Sequence, residues 1–380
     1  MVRFIHTADL QLGMTRRFLD EDAQARYAQA RIDALVSIGA LAAREDARFV
    51  VVAGDVFETN RVRPRTVGRA LEAMAAIPVP VLLLPGNHDP LDAASVYRSP
   101  TFLRARPPNV RVIETTEPMA VPEAHGIQVV GAPWPSKRPL DDLAATAIDA
   151  LQPDGTTRIL VAHGPIDFRG EAYEAYTLRQ AVLEDAVASG RVGYIALGDR
   201  HSTTAVGDSG RIWYAGSPEP TAHDETDAGN VLLVELDSDR CDVQRRAIGA
   251  WRFVSLTFEL AGGADPETLA ARLDALPDKD RTVVRLTLQG VVSLTDHARI
   301  ARIIEDAREV FGSVEAWEAT SELHVRPDDD DFVDLGLSGF ASAAVERLRA
   351  MASGTGDEAD TARDALSLLV RLAHGQGAGT

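Results

Sequence analysis

Arg48–Glu58 reads RFVVVAGDVFE. Phe49, Val50, Val51, Val52 and Ala53 form an apolar run without polar alternation, the pattern of a strand covered on both faces. The run stops at Gly54-Asp55, where a small residue lets the backbone turn and a carboxylate projects from the strand's C-terminal end. Ligands of α/β sheets gather at that end. Other runs stop in the same way. Val2–Thr7 leads to Asp9 and Gln11, and Val79–Leu84 to Asn87 and His88. Arg158–Ala162 leads to His163, and Gly193–Leu197 to Asp199 and His201.

Outward from this stretch, Glu21–Glu45 carries Tyr27, Ile32, Leu35, Ile38 and Leu41 at helical spacing, and a second helix is expected near Thr66–Ile77. Strands alternating with helices imply parallel pairing. Val110–Ile113 and Ile127–Val130 read as further strands, and Ile212–Ala215 and Asn230–Leu236 as an antiparallel addition. The pattern changes near Gly249. Phe253–Leu260 and Thr282–Leu288 read as strands, Pro266–Leu276 and Asp296–Phe311 as helices, which makes a small α/β unit. The acidic run Asp328–Asp331 reads as a linker, because like charges disfavour compaction. Two amphipathic helices follow, near Gly339–Ala352 and Glu358–His374. The expected division is residues 1–249, 250–327 and 328–380.

The 39 basic and 57 acidic residues leave a net charge of −18. Alone, that balance argues against a nucleic-acid partner, since phosphate binding needs a basic face. Two considerations offset it. Arginines gather locally at Arg16 and Arg17 and at Arg61, Arg63 and Arg65, where they could grip a nucleic-acid backbone or simply form a solvated loop. Divalent cations would also invert the charge around a carboxylate cluster. The single cysteine, Cys241, excludes an internal disulfide and a thiolate metal cluster. No run approaches the roughly 18 apolar residues of a membrane span, and no leader pattern precedes the first strand; the expectation is a cytoplasmic protein with no membrane partner.

The residues at the strand ends are those that bind metals. Oxygen donors with two or more histidines suit a pair of Mn²⁺, Mg²⁺ or Fe ions. Two cations about 4 Å apart would polarise a phosphoryl group and activate water. Holding ions that close needs a shared carboxylate, and Asp55 is the natural candidate. The spacing of two in Asp9/Gln11 and Asp199/His201 places each pair on one face of an extended segment. Other polar and aromatic residues have simpler readings. His6 lies within a buried strand pattern and reads as a core histidine. Trp134 and Tyr214 read as packing residues ahead of base-stacking ones, while Tyr173 and Tyr176 fall in a polar stretch.

The motifs HTADLQLG, GDVFE, PGNHD, VAHG, ALGDRHS and YAGSPEPT, in that order, resemble those of the calcineurin-like metallophosphoesterases, and most of all the SbcD-type DNA repair exonucleases. The resemblance covers about Met1–Asn230. It implies a metallophosphoesterase β-sandwich flanked by helices, followed by a small α/β cap domain and C-terminal helices. It also implies two divalent ions. One would be held by Asp9, Gln11, Asp55 and His201, the other by Asp55, Asn87, His163 and Asp199. Gln11 stands where the family usually has histidine, and so does Asp199. Both can donate oxygen, which shifts the site toward hard ions: Mn²⁺ first, with Mg²⁺ or Fe as alternatives. The resemblance makes His88 the general acid and Glu58, one methylene longer than the usual aspartate, the group that orients it. The implied partners are DNA and an SbcC-type coiled-coil ATPase, with dimerisation of the nuclease a further expectation. Two rival readings share these residues: a phosphodiesterase for small or cyclic nucleotides, and a catalytically weak scaffold for the ATPase.

Overall fold

The computed structural model describes residues 1–167, 174–260, 265–316, 321–325 and 339–375. It divides into two compact units, Met1–Arg17 with Gln24–Arg252, and Phe18–Ala23 with the chain from Phe253 onward. The chain begins β1 (Val2–Thr7), α1 (Glu21–Arg44), β2 (Val50–Val52), α2 (Pro64–Ala75), β3 (Val81–Leu83), α3 (Pro100–Ala105) and β4 (Val110–Val112). Then come β5 (Met119–Ala120), β6 (Ile127–Gly131), α4 (Leu143–Asp149), β7 (Thr157–His163), α5 (Gln180–Ala188) and β8 (Tyr194–Gly198). The first unit closes with β9 (Thr204–Ala205), β10 (Ile212–Tyr214), β11 (Asn230–Leu236) and β12 (Cys241–Ala247).

These strands form two sheets, ordered β12-β11-β1-β2-β3-β4 and β5-β6-β7-β8-β10-β9. The central strand shows why the sequence lacks alternation. Val50 and Val52 pack toward Ile32, Leu35 and Ile38 of α1 and Val67 and Leu71 of α2. Phe49, Val51 and Ala53 pack instead against Ile159, Val161, Tyr194 and Ala196 of the second sheet. On the far side of that sheet, Leu160, Ala162, Ile195 and Leu197 meet Ala144 and Ile148 of α4 and Leu183 and Ala186 of α5. The result is a four-layer sandwich, helices–sheet–sheet–helices, a mixed α/β fold. Strands β1 to β4 run parallel, as do β6 to β8, so their C-terminal ends share a rim.

Three local differences have physical causes. Strand β10 is not an antiparallel companion of Asn230–Leu236; it pairs parallel with β8 in the second sheet, while β11 pairs antiparallel with β1 in the first. Both are too short or too apolar for alternation to reveal direction. Helix α2 starts at Pro64, two residues before the expected point, because proline suits the first helical turn, where no N–H partner is needed. Strand β12, CDVQRRA, has no counterpart in the sequence reading. It is a polar edge strand paired with β11, and charged edges lack an apolar pattern.

The second unit contains β13 (Arg252–Leu260), α6 (Asp265–Asp274), β14 (Thr282–Val292), α7 (Leu294–Arg308), β15 (Ser313–Ala316), β16 (Glu322–Val325), α8 (Phe340–Ala352) and α9 (Asp357–Gly375). Its sheet is built on β14, which pairs parallel with both β15 and β16. Leu269 and Leu273 of α6 and Ile300 and Ile304 of α7 cover it. Val345, Ala352, Ala362 and Leu366 join α8 and α9 around Leu294. The acidic run Asp328–Asp331 and the expected boundary at 327/328 lie outside the described residues.

Candidate metal centre

The loops after β1 and β2 run side by side. Asp9 N donates to Gly54 O at 3.1 Å, Gln11 N to Asp55 O at 2.9 Å, and Leu12 N to Val56 O at 2.9 Å. Asp9, Gln11, Asp55 and Asp199 all have positive φ, at 53°, 42°, 52° and 101°. The segments holding Asp9/Gln11 and Asp199/His201 are therefore not extended, as the spacing of two suggests. Left-handed turns direct the side chains inward, at a cost of the order of 1 kcal/mol per residue. Gly54 has φ of +94°, and a Cβ there would strike the His163 ring; one on Gly86 would strike the Asp55 carboxylate. Both glycines are required by close approach.

This backbone brings together five of the expected segments. Donor atoms of Asp9, Asp55 and His163 all lie within 4.8 Å of one another, and all three residues are buried. His163 Nε2 is 3.4 Å from Asp55 Oδ1 and 3.7 Å from Asp199 Oδ1. One terminus of the Asn87 amide sits 2.7 Å from His163 Nε2 and 3.3 and 3.2 Å from the two Asp55 oxygens. His201 Nε2 lies 4.0 Å from Asp9 Oδ1 and 3.2 Å from Gln11 Nε2. Asp9 also accepts from the Asp199 backbone amide.

The electrostatics are those of crowded acids held out of water. Burial, offset in part by His201 and His163, pushes the Asp9 carboxyl up to about 7. Burial alone would lower His163, but Asp55, Asp9 and Asp199 outweigh it and raise the ring well above its ordinary value. For Asp55 the balance is reversed: burial raises it, and His163 with His88 brings it below the usual carboxylate range. The donor set fits hard divalent cations. Carboxylates, an amide and imidazoles converge in a buried cluster, and Gln11 Oε1 is buried with no hydrogen-bond partner among the described residues.

His88 stands beside this cluster, with Nε2 4.0 Å from Asp55 Oδ2 and its backbone N donating to Asp55 Oδ1 at 3.0 Å. Glu58 meets the ring through its main chain as well as its carboxylate. The His88 Nδ1 bonds the Glu58 backbone carbonyl at 2.9 Å, whereas the nearest carboxylate oxygen is 3.9 Å away. Burial raises the Glu58 pKa, against the opposing effect of His88 and Arg16.

Several further residues support the cluster. His201 Nδ1 bonds Thr221 Oγ1 at 2.8 Å and Glu225 Oε1 at 3.0 Å. Asp89 accepts from Gly86 N, Phe57 N and the Tyr97 hydroxyl at 2.8, 2.9 and 2.6 Å. Arg31, buried in α1, donates to Leu10 O at 2.8 Å between Asp9 and Gln11. Trp134 Nε1 donates to His163 O at 2.7 Å, and Tyr214 OH to Gly164 O at 2.7 Å. Both aromatics are buried, so neither presents a face to a base, while Tyr176 packs tilted against Trp134. His6 is buried, bonded to the Tyr194 hydroxyl and Leu197 O. Arg17, Arg61, Arg63 and Arg65 are exposed and Arg16 is half-buried; Tyr173 lies outside the described residues. None of the helices described is long and apolar enough to cross a membrane.

The sequence profile of the calcineurin-like phosphoesterases matches residues 2–203, and the chain belongs to that family of metal-dependent phosphoester hydrolases. Among solved structures it is similar to TT1561 of Thermus thermophilus, at 12% identity over 64% of this chain and 98% of that one, with a TM-score of 0.41. It is also similar to a dimetal phosphatase from Danio rerio, at 15% identity over 65% of this chain and 96% of that one, with a TM-score of 0.41.

Proposed function

We propose that this phosphoesterase is a Mn²⁺-dependent DNA nuclease, the hydrolytic subunit of a complex with an SbcC-type coiled-coil ATPase. The observation that carries the hydrolytic part is the convergence of Asp9, Asp55 and His163 on one buried cluster beside His88. The choice of DNA is supported by the motif order through YAGSPEPT, by the appended α/β unit and helices, and by the exposed Arg61, Arg63 and Arg65 that follow the Asp55 loop.

Asp9, Gln11, Asp55 and His201 would hold one divalent ion, and Asp55, Asn87, His163 and Asp199 the other. Bound there, the ions supply Lewis acidity for the phosphodiester and for the attacking water. The rest falls to the chain. With Nδ1 held on the Glu58 carbonyl, His88 keeps Nε2 on the Asp55 side, where it donates a proton to the departing oxygen. Arg61, Arg63 and Arg65 engage flanking phosphates and position the strand without reading its sequence.

The test compares linear DNA with a chromogenic aryl phosphodiester, each with and without Mn²⁺. Cleavage of DNA in Mn²⁺, lost in Asp55→Asn, is the expected result. Turnover of the chromogenic diester alone would replace the nuclease with a small-diester hydrolase. Turnover of neither would leave the scaffold.

A further inference from the structure

We infer that the phosphate-binding surface does not end at Arg61, Arg63 and Arg65 but continues through Arg98, Arg104 and Arg106, so that a DNA backbone is followed away from the His88 side of the rim along α2 and α3. The inference rests on the DNA reading above and extends it to a second segment of the chain.

Charge singles out this stretch. The chain as a whole carries −18, yet Thr59–Arg111 holds eight arginines against three acids. Two of those acids are already engaged. Asp89 is buried beneath three donors, and Asp92 accepts from the Asn60 amide and from Ala94 N. Glu72 alone is left as an exposed acid. Elsewhere arginines lean on carboxylates, as Arg158 does on Asp154, Arg245 on Asp227 and Arg308 on Glu305. Arg98, Arg104 and Arg106 are exposed and, like Arg61, Arg63 and Arg65, make no ion pair with the described residues. Exposed cations that no acid of their own chain neutralises are available to displace counterions from a phosphate backbone.

The fold joins the two groups into one track. The Asn60 side chain, next to Arg61, donates to Pro90 O at 3.0 Å and to Asp92 Oδ1 at 3.1 Å, and accepts from Val96 N at 2.9 Å. That ties the arginine loop to the 3₁₀ turn Val96–Arg98. Tyr97 and Phe102 are buried, which turns Arg98 and Arg104 outward. At the far end the Asn109 amide donates to Met74 O and Ile77 O, at the C-terminus of α2, at 2.9 and 3.0 Å. The segment Val96–Asn109 therefore runs beside α2 from its start to its end. A helix of 12 residues is about 18 Å long. That length matches roughly five phosphates along one strand of B-DNA.

The experiment measures the affinity of the full chain for linear duplex DNA as a function of salt, without divalent ions so that nothing is cut. Arg98→Gln, Arg104→Gln and Arg106→Gln together should weaken binding by about tenfold or more at about 0.1 M salt and lower the magnitude of the salt slope by up to about 2–3. Turnover of the chromogenic diester in Mn²⁺ should stay within about twofold. Arg98→Lys, Arg104→Lys and Arg106→Lys keep the charge and should hold the slope. An unchanged slope in the glutamine variant, with the unaltered chain binding DNA, would overturn the inference and leave the nuclease reading intact. Absence of DNA binding by the unaltered chain would overturn both. Salt-sensitive self-association that the glutamine variant loses, with DNA binding intact, would reassign the surface to a second, acidic copy of this chain. If the triple variant fails to fold, the three single changes decide the matter, each lowering the slope by about 1.

Discussion

His88 Nδ1 lies 2.9 Å from the backbone carbonyl of Glu58 and 3.9 Å from the carboxylate of the same residue. The imidazole is therefore bonded to the main chain, and the acid beside it is expected to be dispensable for orienting it. Glu58→Gln should retain kcat within about threefold, whereas His88→Ala should lose about 10²–10⁴-fold, the range of a general acid. Steady-state kinetics on either substrate checks the contrast. A comparable loss in both variants would return the orienting role to the Glu58 carboxylate.

His6 gives a pH dependence of stability separate from catalysis. Burial, partly opposed by the Leu197 carbonyl, lowers its pKa from 6.5 to about 3. The folded chain thus keeps this ring neutral while the unfolded chain protonates it below pH 6.5. Stability is fully present above 6.5 and falls as the pH drops toward 3, by up to about 5 kcal/mol. Urea unfolding of His6→Gln should show a shallower acid slope than the unaltered chain, by about one proton. Parallel slopes would exclude the assignment.

Asp89 is a structural anchor. Its carboxylate serves Gly86 N, Phe57 N and the Tyr97 hydroxyl, tying the loop after β3 to the loop after β2. Asp89→Ala orphans all three donors in a buried site and should cost about 3 kcal/mol or more. Asp89→Asn, which keeps one acceptor, should cost less. Denaturant titration orders the two.

If the arginine loop holds DNA as proposed, its loss should separate binding from chemistry. Arg61, Arg63 and Arg65 are exposed, on and just before the first turn of α2. Changing all three to glutamine should weaken DNA binding and reduce the magnitude of its salt slope by up to about 2–3, while turnover of a chromogenic diester stays within about twofold. An unchanged salt slope would show that the loop touches no phosphate.

Much of the centre was legible because apolar runs ended at metal-binding residues, and those ends do converge. Asp9, Asp55, Asn87, His163, Asp199 and His201 lie close in space although they span most of the first unit. Their backbone was not legible: a period-two reading assumes extended chain, and left-handed turns leave no trace in side-chain alternation. Nor were the partners. Glu225 sits 24 residues from His201, and Asp89 32 residues from Phe57, with nothing local to couple them. In the second unit β15 and β16 escaped notice because SVEA and ELHV are only half covered, so neither carries the solid apolar block that marked β2.

The positive φ angles at Asp9, Gln11, Asp55 and Asp199 have a bearing on any attempt to harden this enzyme against heat. Glycine at position 9 would relax the main chain and remove one of several crowded acids, so the metal-free Asp9→Gly chain should melt about 2–4 °C higher. Thermal selection without an activity screen would then drift toward inert molecules, because what makes the rim competent is also what makes it uncomfortable.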